Sequence, residues 1–433
     1  MRLTGHEMDL LEGKEGRLKQ AAIENIVKYA EVVGAERLCR VTKAHLYCGA
    51  HHYLKTCGSH DFDEVFTIMQ LARQGELIPF TSIDKSCFAQ SDVSISDFEM
   101  RPSFGQSGAT FDLNVHYLNM ARQAGVMVVG TCAPYLTGWL PAPGEHFVST
   151  ESSVTMTSNS LWAARGNSDG IEAAFWSAIC GRTPEFGFHL QENRGGTCLF
   201  KIEARPESMI EWDLLGKAVG KNLPANGVPV ISGNFPRPDF NRLRQFFTSL
   251  AISSNGQLCH IAGLTPEAPT LESAFQGRKP EAEIVITGED LEKAYELICS
   301  PGESPVDLIS FGCPHYDLSQ IREAASLLEG RKVRPGVKLM IWTPASVRFM
   351  AEANGLAGII EEAGGEICAG SCPTTVGRDL IEPCGRGLVY DSFKMALSSK
   401  NMFTGPVYVG DLDNCLKAAQ TGHWREEYRW RAK

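Results

Sequence analysis

The sequence predicts an α/β protein, and two observations carry that expectation. One is the stretch from Pro305 to Leu318. A short apolar run over 306–311 reads as a buried strand, Gly312-Cys313-Pro314 as a turn, and Asp317 as the N-cap of a helix running to residue 328. The other is the alternation that begins at Glu283. A strand over 284–286 and a helix over 290–298 precede the Cys313 stretch. A strand over 337–342, a helix over 346–354, an apolar run over 365–371 and a strand over 387–390 follow it. Strands alternating with helices of this length are expected to form one α/β domain.

Ahead of that region, Thr4 is placed to cap a first helix, with Glu7 in the capping-box position. Residues 18–33 carry a helical pattern that Gly34 ends, and 41–47 read as a strand or loop entry containing Ala44-His45. His51, His52, Cys57 and His60 come next, at spacings that do not match the common zinc-finger patterns. Helices are expected over 62–74 and 112–125. The apolar run 125–131 then reads as a strand that delivers Cys132.

Three distant cysteines therefore share one grammar. Cys132, Cys313 and Cys372 each end a strand-like run, and Pro134, Pro314 and Pro373 lie within two residues of them. The carboxyl end of a strand, beside a helix N-terminus, is where open α/β sheets bind ligands and where a thiolate is stabilised. Three thiolates with one open position suit a catalytic iron or an iron–sulfur centre. The plainer expectation for any single buried cysteine is that it packs as a small hydrophobe.

The densest polar region is 144–194. It holds Gly144-Glu145-His146, Glu151-Ser152-Ser153, Asn159-Ser160, Ala164-Arg165-Gly166-Asn167, Gly181-Arg182-Thr183-Pro184-Glu185 and His189-Leu190-Gln191-Glu192-Asn193-Arg194. Arginine forks among amides and hydroxyls suit recognition of a carboxylate or phosphate. A solvated face with ordinary ion pairs is the competing expectation.

Composition bounds the rest. A chain of 433 residues can bury several cores, and soft boundaries near 125 and 285 give expected regions of 1–125, 126–285 and 286–433. Hydrophobic content of 43% and charge of 21% describe an ordinary soluble globular protein. A net charge of -10 argues against a nucleic-acid partner, and no apolar segment approaches a membrane span. The first residues lack the apolar core of a signal peptide. Fourteen unevenly spaced cysteines do not form a disulfide framework, so the reducing cytoplasm is the expected compartment.

Taken in order, Ala44-His45, Thr131-Cys132-Ala133-Pro134-Tyr135-Leu136, the polar motifs of 144–194, Gly312-Cys313-Pro314-His315, Ser371-Cys372-Pro373, and Ser392 with Lys394 resemble the large, catalytic subunit of the aconitase X family over nearly the whole chain. The resemblance implies three α/β domains around a central cleft. It implies an iron centre held by Cys132, Cys313 and Cys372, either an iron–sulfur cluster or a mononuclear iron. It implies a hydro-lyase acting on a small hydroxy acid, cis-3-hydroxy-L-proline or mevalonate 5-phosphate. The family also uses a small swivelling domain carrying a serine base. No such domain is seen in these residues, so a separate small subunit is the expected partner.

Two departures from the family pattern bear on substrate. Where the family usually reads Gly-Ala-Arg-Thr-Asn-Arg, this chain has Ala163-Ala164-Arg165-Gly166-Asn167-Ser168, without the hydroxyl after the arginine and without the second cation. Where it usually reads Thr-Asn-Ser-Ala-Lys, this chain has Tyr390-Asp391-Ser392-Phe393-Lys394. Loss of a phosphate contact shifts the expected substrate toward cis-3-hydroxy-L-proline, with mevalonate 5-phosphate as the alternative.

Dehydration of a β-hydroxy acid needs a carbanion-like state beside a carboxylate, and a hydroxide that leaves. Iron with an open position is the Lewis acid for that hydroxide. Arg165, Arg182 or Lys394 would grip the carboxylate, with Ser152, Ser153, Asn159 and Ser392 as further substrate contacts. His45, His146, His189 or Glu151 would protonate the leaving group or orient a water. Two rivals stand beside this reading. One is a thiol or zinc hydrolase built on the same cysteines, and the other is a non-catalytic paralogue that binds substrate or regulates.

Overall fold

The computed structural model describes residues 1–48, 78–94, 108–381 and 383–425. The expected helix over 62–74 and the residues His51, His52, Cys57 and His60 lie outside the described residues. Among the described residues no helix is long and apolar enough to cross a membrane. The chain divides into two units. The first takes the described residues up to Gly195 together with Thr265–Glu267, and the second takes Gly196–Leu264 and those from Ala268 on.

The first unit begins with the helix Gly5–Leu11, closed by the capping box foreseen at Thr4 and Glu7. The Thr4 amide donates to Glu7 Oε2 at 2.8 Å, which satisfies an N–H that the helix itself cannot. The helix Arg17–Val32 follows and ends just before Gly34, whose φ is 70°. Its buried face is Ala21, Ala22, Ile23, Ile26 and Ala30, in which Ala22, Ile26 and Ala30 recur every four residues, and it packs on the helix Ile171–Cys180. Ile23 and Ile26 are fully buried, each contributing ~1.5–3 kcal/mol.

A parallel sheet runs through this unit in the order β2-β1-β3, where β1 is Lys43–Leu46, β2 is Phe88–Ser91 and β3 is Phe147–Ser149. The helix Gly108–Gln123 leads to the segment that the sequence presents as a strand ending at Cys132. Here the expectation is corrected. Met127 makes one parallel bridge, to Gln90, and the ladder stops there. The next amides, Val129 and Gly130, both donate to the Ser91 hydroxyl at 3.0 Å, so a side chain takes the bonds a strand would have used.

The second unit holds two parallel sheets. One has the order β6-β5-β4-β7, with β4 Cys198–Ile202, β5 Pro229–Gly233, β6 His260–Ile261 and β7 Ala282–Ile286. The expected strand at 284–286 is thus an edge of this sheet and not a member of the later α/β sheet. Alternation reveals a strand but not which sheet it joins. Capping boxes at Ser208 with Glu211 and at Thr287 with Asp290 start the helices Met209–Asn222 and Gly288–Ile298.

The other sheet has the order β10-β9-β8-β11-β12, with β8 Leu308–Phe311, β9 Lys338–Thr343, β10 Gly365–Ala369, β11 Leu388–Tyr390 and β12 Val407–Val409. All four residues of β8 are buried, as a strand covered on both faces requires. Asp317 caps the helix Leu318–Leu328 as the sequence indicates, in a box with Gln320. Strand order runs one way from β8 to β10 and the other way from β8 through β11 to β12. The carboxyl ends of β8 and β11 therefore flank a topological switch point, where such sheets bind ligands.

Gly312 makes the turn out of β8. Its φ is 104°, and a Cβ there would lie 2.3 Å from the Trp342 carbonyl oxygen. Gly312→Ala is expected to lower unfolding free energy by ~3 kcal/mol, from backbone strain and overpacking together. Urea titration of the two proteins checks this, and an unchanged midpoint would contradict it.

Candidate active site

In the first unit, His45 on β1 is fully buried, and its Nε2 lies 2.8 Å from the carbonyl oxygen of Thr131, the residue before Cys132. Burial pulls its pKa down to about 4, against the opposing pull of that carbonyl and of Glu151. The ring is therefore neutral and must carry its proton on Nε2 to donate to the carbonyl. Beyond the cysteine, the Ala133 amide donates to Thr131 Oγ1 at 3.0 Å. Cys132 is held from both sides.

Glu151 caps the helix Ser152–Leu161. Its Oε1 accepts from the Ser153 amide at 3.3 Å and from the Ser153 hydroxyl at 2.8 Å, with Ser152 half-buried at the first helical position. Asn159, buried in that helix, spends its amide on Gly166: Nδ2 donates to the Gly166 oxygen at 2.8 Å and Oδ1 accepts from the Gly166 nitrogen at 3.1 Å. Arg194 also donates to Asn159 Oδ1, and its guanidinium is buried against Glu267. Asn159 and Arg194 thus support the loop that presents Arg165.

Arg165 is half-exposed, donating to Gln191 Oε1 at 2.6 Å and to the His189 carbonyl at 3.4 Å. Its backbone bridges to His146, whose Nδ1 lies 2.9 Å from Nδ1 of His189. Burial, then His146 and the arginines, pulls His189 down to about 3, while burial and Arg165 lower His146 to a smaller extent. Cys39 joins the two histidines, with ligand-type atoms of all three within 4.8 Å of one another. Its thiol donates to the Thr183 carbonyl, and burial pushes its pKa well up. Arg182 is committed elsewhere, to Glu7 Oε1 at 3.0 Å and to the Gly181 carbonyl.

In the second unit, Cys313 follows β8, Cys372 follows β10, and Ser392 with Lys394 follows β11. Cys372 occupies the N-cap of the short helix Pro373–Val376, with its sulfur 3.2 Å from Thr375 Oγ1. Ser392 is buried, its hydroxyl accepting from the Met395 amide at the start of the helix Phe393–Lys400, and Lys394 is half-exposed one residue into that helix. His315, fully buried, places Nε2 2.8 Å from the Ser371 carbonyl oxygen, and burial pulls its pKa to about 4.

The helix Phe240–Ser253 clamps the Cys313 turn. Arg244 donates to the His315 carbonyl at 2.8 Å and to Gln320 Oε1, and Gln245 donates to the Cys313 carbonyl at 3.2 Å. Asp213 accepts from the Phe393 amide at 2.5 Å and from the Ser249 hydroxyl; Asp391 accepts from the Tyr316 hydroxyl at 2.5 Å. Burial raises both acids to about 7. Sequence reasoning did not select Cys39, Asp213, Arg244 or Gln245, because their partners lie far away in the chain.

Exposure sorts the cysteines. Thirteen are described; ten are buried, and the three that are partly exposed are Cys132, Cys313 and Cys372. Burial raises the thiols of Cys48, Cys87, Cys180 and Cys259, which keeps them protonated and inert.

Fold and site define the class as an α/β protein with cysteine-bearing loops at strand carboxyl ends. The chain belongs to the aconitase X family: models of the first, second and third aconitase X domains match residues 1–192, 196–296 and 306–421. A cis-3-hydroxy-L-proline dehydratase of Pseudomonas aeruginosa is 29% identical over 424 residues, covering 97% of this chain and 70% of that protein. A phosphomevalonate dehydratase large subunit of Methanocaldococcus jannaschii is 28% identical over 424 residues, covering 96% and 100%. The crystal structure of Thermococcus kodakaraensis aconitase X in its holo-form matches with a TM-score of 0.81 at 26% identity, covering 97% and 100%. The expected family and fold class hold.

Gly166, one of the departures from the family pattern, has a structural counterpart. A Cβ there would lie 2.5 Å from the Phe147 ring, which sits in a buried cluster with Trp139, Val154 and Ala164. Gly166→Thr should destabilise by ~1–3 kcal/mol and Phe147→Ala by ~3–5 kcal/mol, with the double variant losing clearly less than the sum. A double-mutant cycle in denaturant measures the coupling, and strict additivity would refute it.

Asp169 gives a pH test. Burial raises its pKa to about 8, opposed by the bond it accepts from the Ser149 amide. The folded state binds this proton more tightly than the unfolded chain does. Its contribution is therefore full below pH ~4 and is lost as pH rises through 8. Asp169→Asn keeps an acceptor without a charge, so its stability relative to wild type should climb between pH 4 and 8. A flat difference across thermal melts would exclude this.

Proposed function

We propose that this chain is the catalytic part of an aconitase X hydro-lyase that removes water from cis-3-hydroxy-L-proline, with iron held by Cys132, Cys313 and Cys372. The observation that carries the ligand set is that, among the described cysteines, these three are partly exposed and the other ten are buried. Such a donor set fits an iron–sulfur cluster or a mononuclear iron. When bound, iron supplies a Lewis acid for the departing hydroxyl.

The chain's own residues supply the rest. His146 is the half-exposed member of a histidine pair and holds the proton for the leaving hydroxyl, with His189 orienting its ring. Arg165, presented by the Asn159–Gly166 bonds, pairs with the substrate carboxylate, and half-exposed Lys394 adds a cation from the second unit. Glu151, tied to Ser153, orients water or substrate hydroxyls. The base comes from a small swivelling subunit, a partner supported by the name "large subunit" of the phosphomevalonate relatives.

Gly166 and Ser168 support the substrate choice, because a phosphate would find neither the hydroxyl nor the second cation there. Mevalonate 5-phosphate is the second reading, supported by relatives of that name at similar identity.

Iron and acid-labile sulfide per chain, measured after anaerobic purification, test the centre. Iron should be present in wild type and lost in Cys313→Ser, and iron absent from both after reconstitution would remove the ligand set. With the small subunit added, turnover of cis-3-hydroxy-L-proline is expected. Turnover of mevalonate 5-phosphate alone would assign the second substrate.

A further inference from the structure

We infer that His45 and His315 are matched positioning residues, each fixing the peptide plane that leads into a cysteine of the proposed iron centre. His45 acts on Cys132 and His315 on Cys372. This rests on the ligand set proposed above.

The two contacts share burial, donor atom and distance. Each ring is fully buried, each uses Nε2, and each lies 2.8 Å from a carbonyl oxygen, that of Thr131 or that of Ser371. In both cases the carbonyl belongs to the residue before the cysteine. The peptide plane containing that oxygen also contains the cysteine's own nitrogen, so holding it sets the axis about which the Cα–Cβ bond, and with it the sulfur, can turn. The chain has left regular pairing at both places: residues 128–132 and 370–372 lie outside any strand. A side-chain donor takes over where the ladder stops.

Each histidine is in turn anchored. His45 pairs with Gln90 on one side and Ser149 on the other, in the middle strand of its sheet. Its Nδ1 is buried with no hydrogen-bond partner among the described residues, so rotating the ring would exchange a made bond for nothing. His315 sits two residues beyond Cys313, and its own carbonyl is held by Arg244 at 2.8 Å. One ring thus links the loop of Cys313 to the loop of Cys372. Outer partners of this kind orient metal ligands, and losing one typically costs about 10–100-fold in metal affinity.

The test compares glutamine and asparagine at each position in the full chain. Glutamine can place its amide nitrogen near the site of Nε2; asparagine falls short of the carbonyl. His45→Gln and His315→Gln should keep the wild-type iron content, visible spectrum and rate of iron loss to a chelator. His45→Asn and His315→Asn should lose iron about 10-fold faster or more, with an altered spectrum. Melting of the iron-free proteins controls for folding, since both substitutions bury an amide. Equal iron retention and spectra in the glutamine and asparagine variants would overturn the inference and leave the ligand set standing. Iron content unchanged by Cys132→Ser and Cys372→Ser, or no iron in wild type, would overturn the ligand set and this pairing with it.

Discussion

A parallel sheet sends every strand out through the same edge. In this chain the sheet of β2, β1 and β3 and the two larger sheets of the second unit are parallel throughout. The loops that follow the strands therefore collect on one side of each sheet, and chemistry concentrates there without any special device. Cys313, Cys372 and Ser392 follow three strands of one sheet, and Glu151 follows a strand of another. The direction of the strands gathers these residues before any side-chain contact does.

The second theme is how little of the buried polarity is free to react. Arg194, Arg244 and Asn159 are buried, yet each is tied to scaffold partners. A buried guanidinium without such partners would cost several kcal/mol. Much of the polar density of 144–194 is thus scaffold, with Asn159 and Arg194 bonding to the chain around Gly166, Phe188 and Glu267.

Much of this was legible locally. The caps at Thr4 and Asp317 and the buried strand ahead of Cys313 are written in short-range patterns. What failed to read out was long-range. The run before Cys132 has the composition of a strand, and only the Ser91 hydroxyl, some forty residues away, diverts its amides. Arg182 looks like a substrate anchor until Glu7, far away in the chain, accepts from its Nε. Asn159 reads as a contact residue until Gly166 uses both ends of its amide. Arg244 and Gln245 carry no local signal, because the turn they clamp begins 68 residues past Gln245. His45 reads as an acid in sequence, and only the Thr131 carbonyl shows its proton to be engaged.

The bond from the Phe393 amide to Asp213 has a mechanical meaning. Asp213 lies on a helix beside the four-stranded sheet, while Phe393 opens the helix that leaves β11. The bond is buried and crosses between two layers, so the end of β11 cannot shift unless a second layer shifts with it. Ser392 and Lys394 therefore stand on stiff ground. A displacement at this edge would have to break a buried hydrogen bond, so the end of β11 and the helix that carries Asp213 move as one piece.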